Sequence, residues 1–163
     1  MLRAELARAR CKVQIDIGFG DAVTPGPAEA TYPVLIPDFP PPRLRTYPVY
    51  TVVAEKLHAI VLLGMTNSRL KDYLDLWVLL DRKVLDAGTL ATAIAATFTS
   101  RTAALPTELP IGLSEEFAAD ASRRALWAAF LKKSGLAPMP PADVVNTLQP
   151  ALAQAALLAA AHG

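Results

Sequence analysis

Eight of the fourteen prolines in this chain fall between Asp21 and Pro48, in DAVTPGPAEATYPVLIPDFPPPRLRTYP, and this cluster constrains the fold more than any other feature. Proline lacks a backbone donor and its ring clashes with the preceding helical turn, so no helix runs through the segment. Short extended pieces joined by turns are expected there instead. Just before it, CKVQIDIGFGD alternates Val13, Ile15, Ile17 and Phe19 with Lys12, Gln14, Asp16 and Gly18. That is the pattern of a strand with one face on a core, and it puts Asp16 on the opposite face. Thr31 to Ile36 reads as one more strand, and Pro48 to Val53 leads into a helix.

Beyond the prolines the periodicity turns helical. Thr51 is the expected cap of a helix whose Val53, Leu57, Ile60, Val61 and Gly64 share an apolar face, ending at the turn-forming GMTNS. Asn67 or Ser68 then caps a second helix in which Leu70, Tyr73, Leu74, Leu76, Trp77 and Leu80 are apolar nearly all round, which predicts deep burial. Further helices are expected at 87–98, 114–133, 141–148 and 150–161. The fold class is therefore α+β, mostly α, with a partial sheet at the N-terminus and a helical bundle after it.

Composition narrows the function classes. With 163 residues, 53% of them hydrophobic, the chain is long enough for one domain with a real core. Sixteen basic and fifteen acidic residues leave a net charge of +1, so no overall field draws it to nucleic acid or a membrane. The single cysteine, Cys11, cannot form an internal disulfide and has no ligand-spaced Cys or His beside it, which excludes a structural zinc site. A reducing cytoplasm fits. The opening MLRAELARAR lacks the apolar run of a signal peptide. The apolar tail at 151–161 is about half of the roughly 20 residues a membrane span needs, so a packed terminal helix is expected and no membrane partner.

Charges interrupt the two best helices. Asp72 and Asp75, three apart, share a helix face, and Lys71 lies one turn before Asp75. An isolated pattern of this kind suits an ordinary solvated face with acids near a helix start. Here, however, Asp72 is flanked by Leu70, Tyr73 and Leu74, and Asp75 by Leu74, Leu76 and Trp77. A carboxylate buried among them needs a cation or several donors. Lys56, Arg69 and Lys71 are the available cations. If the helices pack as a hairpin, Lys56 reaches Asp72 or Asp75, forming either a structural ion pair or a site for a phosphate and its metal. Asp16, a strand acid, is a candidate ligand for Mg²⁺. Glu55 and His58 allow the plain reading of a surface charge and a partly buried histidine.

The order KVQIDIGFGD, then LRTYPVYTVVAEKLHAIV, then SRLKDYLDLWVLL resembles the AbiEii/AbiGii nucleotidyltransferase toxin family of type IV toxin–antitoxin systems. The match is clear from Lys12 to Leu80, and SRRALWAAFLKK resembles the family's late Trp-containing helix. The resemblance implies a nucleotidyltransferase-like α/β core, with residues 1–50 as a remnant of it, and a helical part at 51–163 packed with it as one domain. It implies transfer of a nucleotidyl group from an NTP with Mg²⁺, in some members onto tRNA, and a cognate antitoxin. By position, Asp16 matches a metal carboxylate, Lys56 the lysine that contacts the nucleotide phosphates, Asp72 the aspartate paired with it, and Asp75 the second acid. Arg69 and Lys71 join Lys56 as nucleotide-binding candidates.

The family's Gly-Ser turn and Asp-x-Asp signature, expected before Asp16, has no counterpart in the fifteen residues there. Two-metal chemistry needs several carboxylates, and Asp16 alone does not supply them. The resulting expectation is a truncated chain, inactive alone, with an exposed sheet edge open to self-association. The alternative is a non-catalytic helical interaction domain that binds an antitoxin or a separate N-terminal half.

Overall fold

The computed structural model describes residues 2–6, 9–15, 17–82 and 84–161. Two antiparallel hairpins come first. Strands β1 (Leu2–Leu6) and β2 (Ala9–Val13) pair with Arg3 opposite Lys12, while β3 (Ala28–Thr31) and β4 (Arg43–Thr46) pair with Glu29 opposite Arg45. These are separate two-stranded sheets. The helices are α1 (Val49–Leu63), α2 (Leu70–Arg82), α3 (Ala87–Ser100), the short α4 (Glu115–Ala119), α5 (Ala121–Lys133) and α6 (Pro141–Ala161). The fold is thus α+β and mostly α, as expected.

The core belongs to the helices. α3 packs between α1 and α6, and α2 also packs on α6. Val53, Leu57, Ile60, Leu76, Ile94, Phe98, Leu148 and Leu152 are all fully or almost fully buried. Full burial of each such side chain is worth roughly 1.5–3 kcal/mol, so this layer carries most of the stability. Gly64 ends α1 at φ +48, where a side chain is strained, and its N–H donates to Ile60 O.

Several sequence expectations are corrected here. The strand expected from Lys12 to Phe19 ends at Val13, and Ile15, Ile17 and Phe19 are exposed, Phe19 by 91%. Alternation is a sound signal only when a second layer covers the apolar face, and no helix of the described residues does so. The strand expected at Thr31 to Ile36 lies earlier, at Ala28–Thr31. Pro48, not Thr51, stands at the N-cap of α1, because its fixed φ already suits the entry to a helix. α2 is buried on one face only, through Leu70, Tyr73 and Leu76, while Leu74, Trp77 and Leu80 are partly exposed.

The expected 114–133 helix breaks at Asp120, since Ser114 and Asp120 each accept a hydrogen bond from a backbone N–H three residues on, at Phe117 and Arg123. Two caps so close together start two helices. Conversely, 141–148 and 150–161 are one helix with Pro150 inside it. Pro150 and Asn146 are both exposed, so the carbonyl that Pro150 leaves without a donor faces water rather than the core. By length and composition α1 with its following turn and α6 are apolar enough to cross a membrane; within the fold their apolar faces form the core just described.

Candidate active site

α1 and α2 meet as a hairpin through the turn Gly64–Thr66, and the meeting brings charges together. Lys56 Nζ donates to Asp72 Oδ1 at 2.7 Å and to Asp75 Oδ2 at 2.8 Å. Lys71 Nζ, one turn before Asp75, donates to the same Oδ2 at 2.6 Å. Arg69 Nε stands 2.8 Å from Asp72 Oδ2, yet its N–H is not aimed along a hydrogen bond, and that oxygen is buried without a donor. The contact is ionic. Burial alone would lower the Lys56 pKa; hydrogen bonds to Asp72 and Asp75 outweigh it and raise it. Burial alone would raise Asp75, and its bonds to Lys56 and Lys71 bring it below the usual range. Both groups are therefore charged at neutral pH.

Two devices hold the hairpin's register. Asn67, fully buried, accepts from the Arg69 N–H at 2.8 Å, fixing the chain just before α2. Arg123 on α5 donates to the carbonyls of Met65 and Asn67 while its guanidinium lies over the Phe117 ring. The start of α2, and with it Arg69 and Asp72, is clamped from behind.

Lys56, Arg69 and Asp72 line a cavity of about 350 Å³ together with Asp21, Tyr47, Thr51, Val52, Glu55 and Arg101. Arg101 Nη2 donates to Asp21 Oδ1 at 2.8 Å and to Glu55 Oε2 at 3.0 Å, and the Tyr47 hydroxyl donates to Asp21 Oδ2 at 2.9 Å. That bond raises the Tyr47 pKa. Thr51, expected as a cap, instead straps the proline-rich segment to α1: its hydroxyl accepts from Thr24 N at 2.9 Å and donates to Thr24 O at 3.1 Å. His58 packs edge-on against Phe98, and burial lowers its pKa.

The structure brings together Lys56, Arg69, Lys71, Asp72 and Asp75, all singled out in the sequence. Asp16 lies outside the described residues. Asp21, Tyr47 and Arg101 were missed; Asp21 closes the KVQIDIGFGD segment, but nothing local tied it to Arg101 in TSRTAALPTELP.

A family model described as nucleotidyl transferase AbiEii toxin, type IV TA system, matches residues 1–156. The chain belongs to this AbiEii family. No curated protein and no solved structure matches it. The family is one of nucleotidyltransferases and of type IV toxin–antitoxin systems, so an antitoxin is the partner it implies, and an NTP and a metal are its general requirements.

The acids of the AbiEii cavity are all paired with internal cations. Asp72 and Asp75 are held by Lys56, Arg69 and Lys71, and Asp21 and Glu55 by Arg101. One oxygen there, Glu55 Oε1, is buried without a hydrogen-bond partner, but each of these carboxylates is also ion-paired, so a Mg²⁺ ion would compete with an internal cation for every one of them. Among the described residues, no three His, Cys, Asp or Glu side chains gather as metal ligands. The described carboxylates therefore do not fit a Mg²⁺ site.

Proposed function

We propose that this AbiEii-family chain binds a nucleoside triphosphate in the cavity on α1, with Lys56 as its phosphate contact and Arg69 and Lys71 adding positive field around it. The observation that carries the reading is the coordination of Lys56. An ammonium has three donors; two are taken by Asp72 and Asp75, which keep it charged and aimed, and the third is left for a ligand in the cavity. Nucleotidyl transfer from the bound NTP, with tRNA as acceptor, is the reaction this site serves. Asp16 is its metal-ligating residue, together with carboxylates that the described residues do not provide. On this reading residues 1–50 are part of a nucleotidyltransferase core, and the chain does not complete transfer alone. A cytoplasmic setting accords with the exposed free thiol of Cys11.

Titrating the purified chain with ATP, GTP, CTP and UTP tests the binding step. Binding of at least one, abolished in Lys56→Ala, is expected; no binding by the wild type would sink the reading. Incubation with labelled NTPs, Mg²⁺ and tRNA tests the second step, and robust label transfer would overturn the claim that the chain is inactive alone.

A second reading, a protein-interaction role, is favoured by the exposed apolar side chains between Ile15 and Leu44. Ile17, Phe19 and Leu35 are 73%, 91% and 99% exposed, with Phe39 and Ile36 also largely open. An antitoxin, a separate N-terminal half or a second copy would remove this surface from water. Sedimentation of the chain alone and with its cognate antitoxin decides it: a monodisperse monomer in both samples ends the second reading.

A further inference from the structure

The cavity holds two cations of the same design, of which the family resemblance marked only Lys56. Lys56 is gripped by Asp72 and Asp75; Arg101, lining the same cavity, is gripped by Asp21 and Glu55. Arg101 is the C-cap residue of α3, where the negative end of the helix dipole favours a cation. Both of its bonds use a single nitrogen, Nη2. The guanidinium has five N–H donors in a planar fork. Those on Nε and Nη1 have no acceptor among the described residues, and the side chain is 42% exposed on the cavity wall.

Resting on the reading of this cavity as a nucleotide site, we propose that Arg101 is a second phosphate-contacting residue, and that its unused fork takes the polyphosphate of the nucleotide together with Lys56. A guanidinium pinned through one nitrogen by two carboxylates cannot swing away, and it presents its remaining donors in the geometry that matches phosphate oxygens. Asp21 and Glu55 are then positioning residues: each already spends an oxygen on Arg101, and Asp21 spends its other on Tyr47. Thr51, through Thr24, ties the Asp21 segment to the helix that carries Lys56. The cavity thereby carries two anchored cations, Lys56 and Arg101, and the more highly charged triphosphate gains more from the pair than a monophosphate does.

The test measures affinity of the full chain for whichever of ATP, GTP, CTP and UTP binds best, and for its monophosphate. The wild type is expected to prefer the triphosphate. Arg101→Ala is expected to lose triphosphate affinity about ten-fold or more, as removal of a charge-assisted hydrogen bond does, and monophosphate affinity far less. Arg101→Gln serves in its place if the alanine variant does not fold. A triple variant, D21N/E55Q/R101A, removes the carboxylates that Arg101→Ala leaves unpaired. It stays weak if Arg101 touches phosphate, and wild-type affinity in it overturns the proposal by reducing Arg101 to a neutraliser of two acids. Equal affinity of wild type and Arg101→Ala also overturns it. Failure of the wild type to bind any nucleotide instead removes the reading of the cavity itself.

Discussion

Lys56 and Asp72, sixteen residues apart on facing helices, are joined by a 2.7 Å hydrogen-bonded ion pair, with the Asp72 side chain only 6% exposed. A carboxylate that deep depends on its counter-charge more than the pair as a whole benefits the fold, because the cost of desolvating both ions offsets most of their attraction. Lys56→Met leaves Asp72 with only the largely exposed Arg69 as counter-charge and should destabilise the chain by about 2–4 kcal/mol. K56M/D72L, which removes both charges, should recover a large part of that loss. Urea denaturation of the two variants measures the difference; equal loss in both would show that the pair is not coupled.

The same cluster sets a pH window. Asp75 is held below its ordinary 3.8, so its contribution is present above that value and is lost as pH falls through the lower folded pKa. Lys56 is held above its ordinary 10.5, so its contribution is full below that value and is lost as pH rises through the higher folded pKa. Stability should therefore be flat between these limits with respect to this pair. Asp75→Asn should remove the part of the acid limb that belongs to Asp75, leaving a shallower decline in melting temperature below about pH 4. An unchanged acid limb would count against the pairing.

The two halves of the cavity differ in how far the sequence reveals them. Lys56, Arg69, Lys71, Asp72 and Asp75 belong to two consecutive helices and the short turn between them, so helical spacing and the need to neutralise a buried acid are enough to bring them together. Arg101 and Asp21 are 80 residues apart, one at a helix end and the other after a segment of irregular backbone. No periodicity links such positions; only the tertiary path of the chain does. The helices themselves were legible because their apolar faces are covered. Ile15, Ile17 and Phe19 misled because alternation records which side chains avoid water in the natural state, and nothing in the described residues covers them.

Thr51 offers a local probe of that tertiary path. Its hydroxyl makes both bonds of the strap to Thr24, and no other side-chain hydrogen bond to Thr24 is present among the described residues. Thr51→Val keeps the shape and removes both bonds, at a cost of about 1–2 kcal/mol for a partly buried donor and acceptor left unpaired. Amide exchange at Thr24 should accelerate in the variant while amides in α3 and α6 stay protected. Exchange at Thr24 matching the wild type would mean that the strap does not hold the segment.

Gly112 tests the opposite side of the hairpin. A Cβ built there would lie 2.8 Å from Ile60 Cγ2 and 2.9 Å from the Tyr73 hydroxyl, and 3.1 Å from the Ile60 carbonyl oxygen. The Tyr73 hydroxyl also donates to Gly112 O at 2.9 Å, and burial pushes its pKa well above the ordinary value. The Ile60 side chain is fully buried and has nowhere to retreat. Gly112→Ala should therefore push α1 and α2 apart, costing about 1–3 kcal/mol as overpacking does. Because Lys56 and Asp72 sit on those two helices, the variant should also weaken nucleotide binding without touching a cavity residue. A thermal melt paired with a nucleotide titration checks both effects, and a Gly112→Ala protein as stable as the wild type would show that the 111–113 turn yields freely.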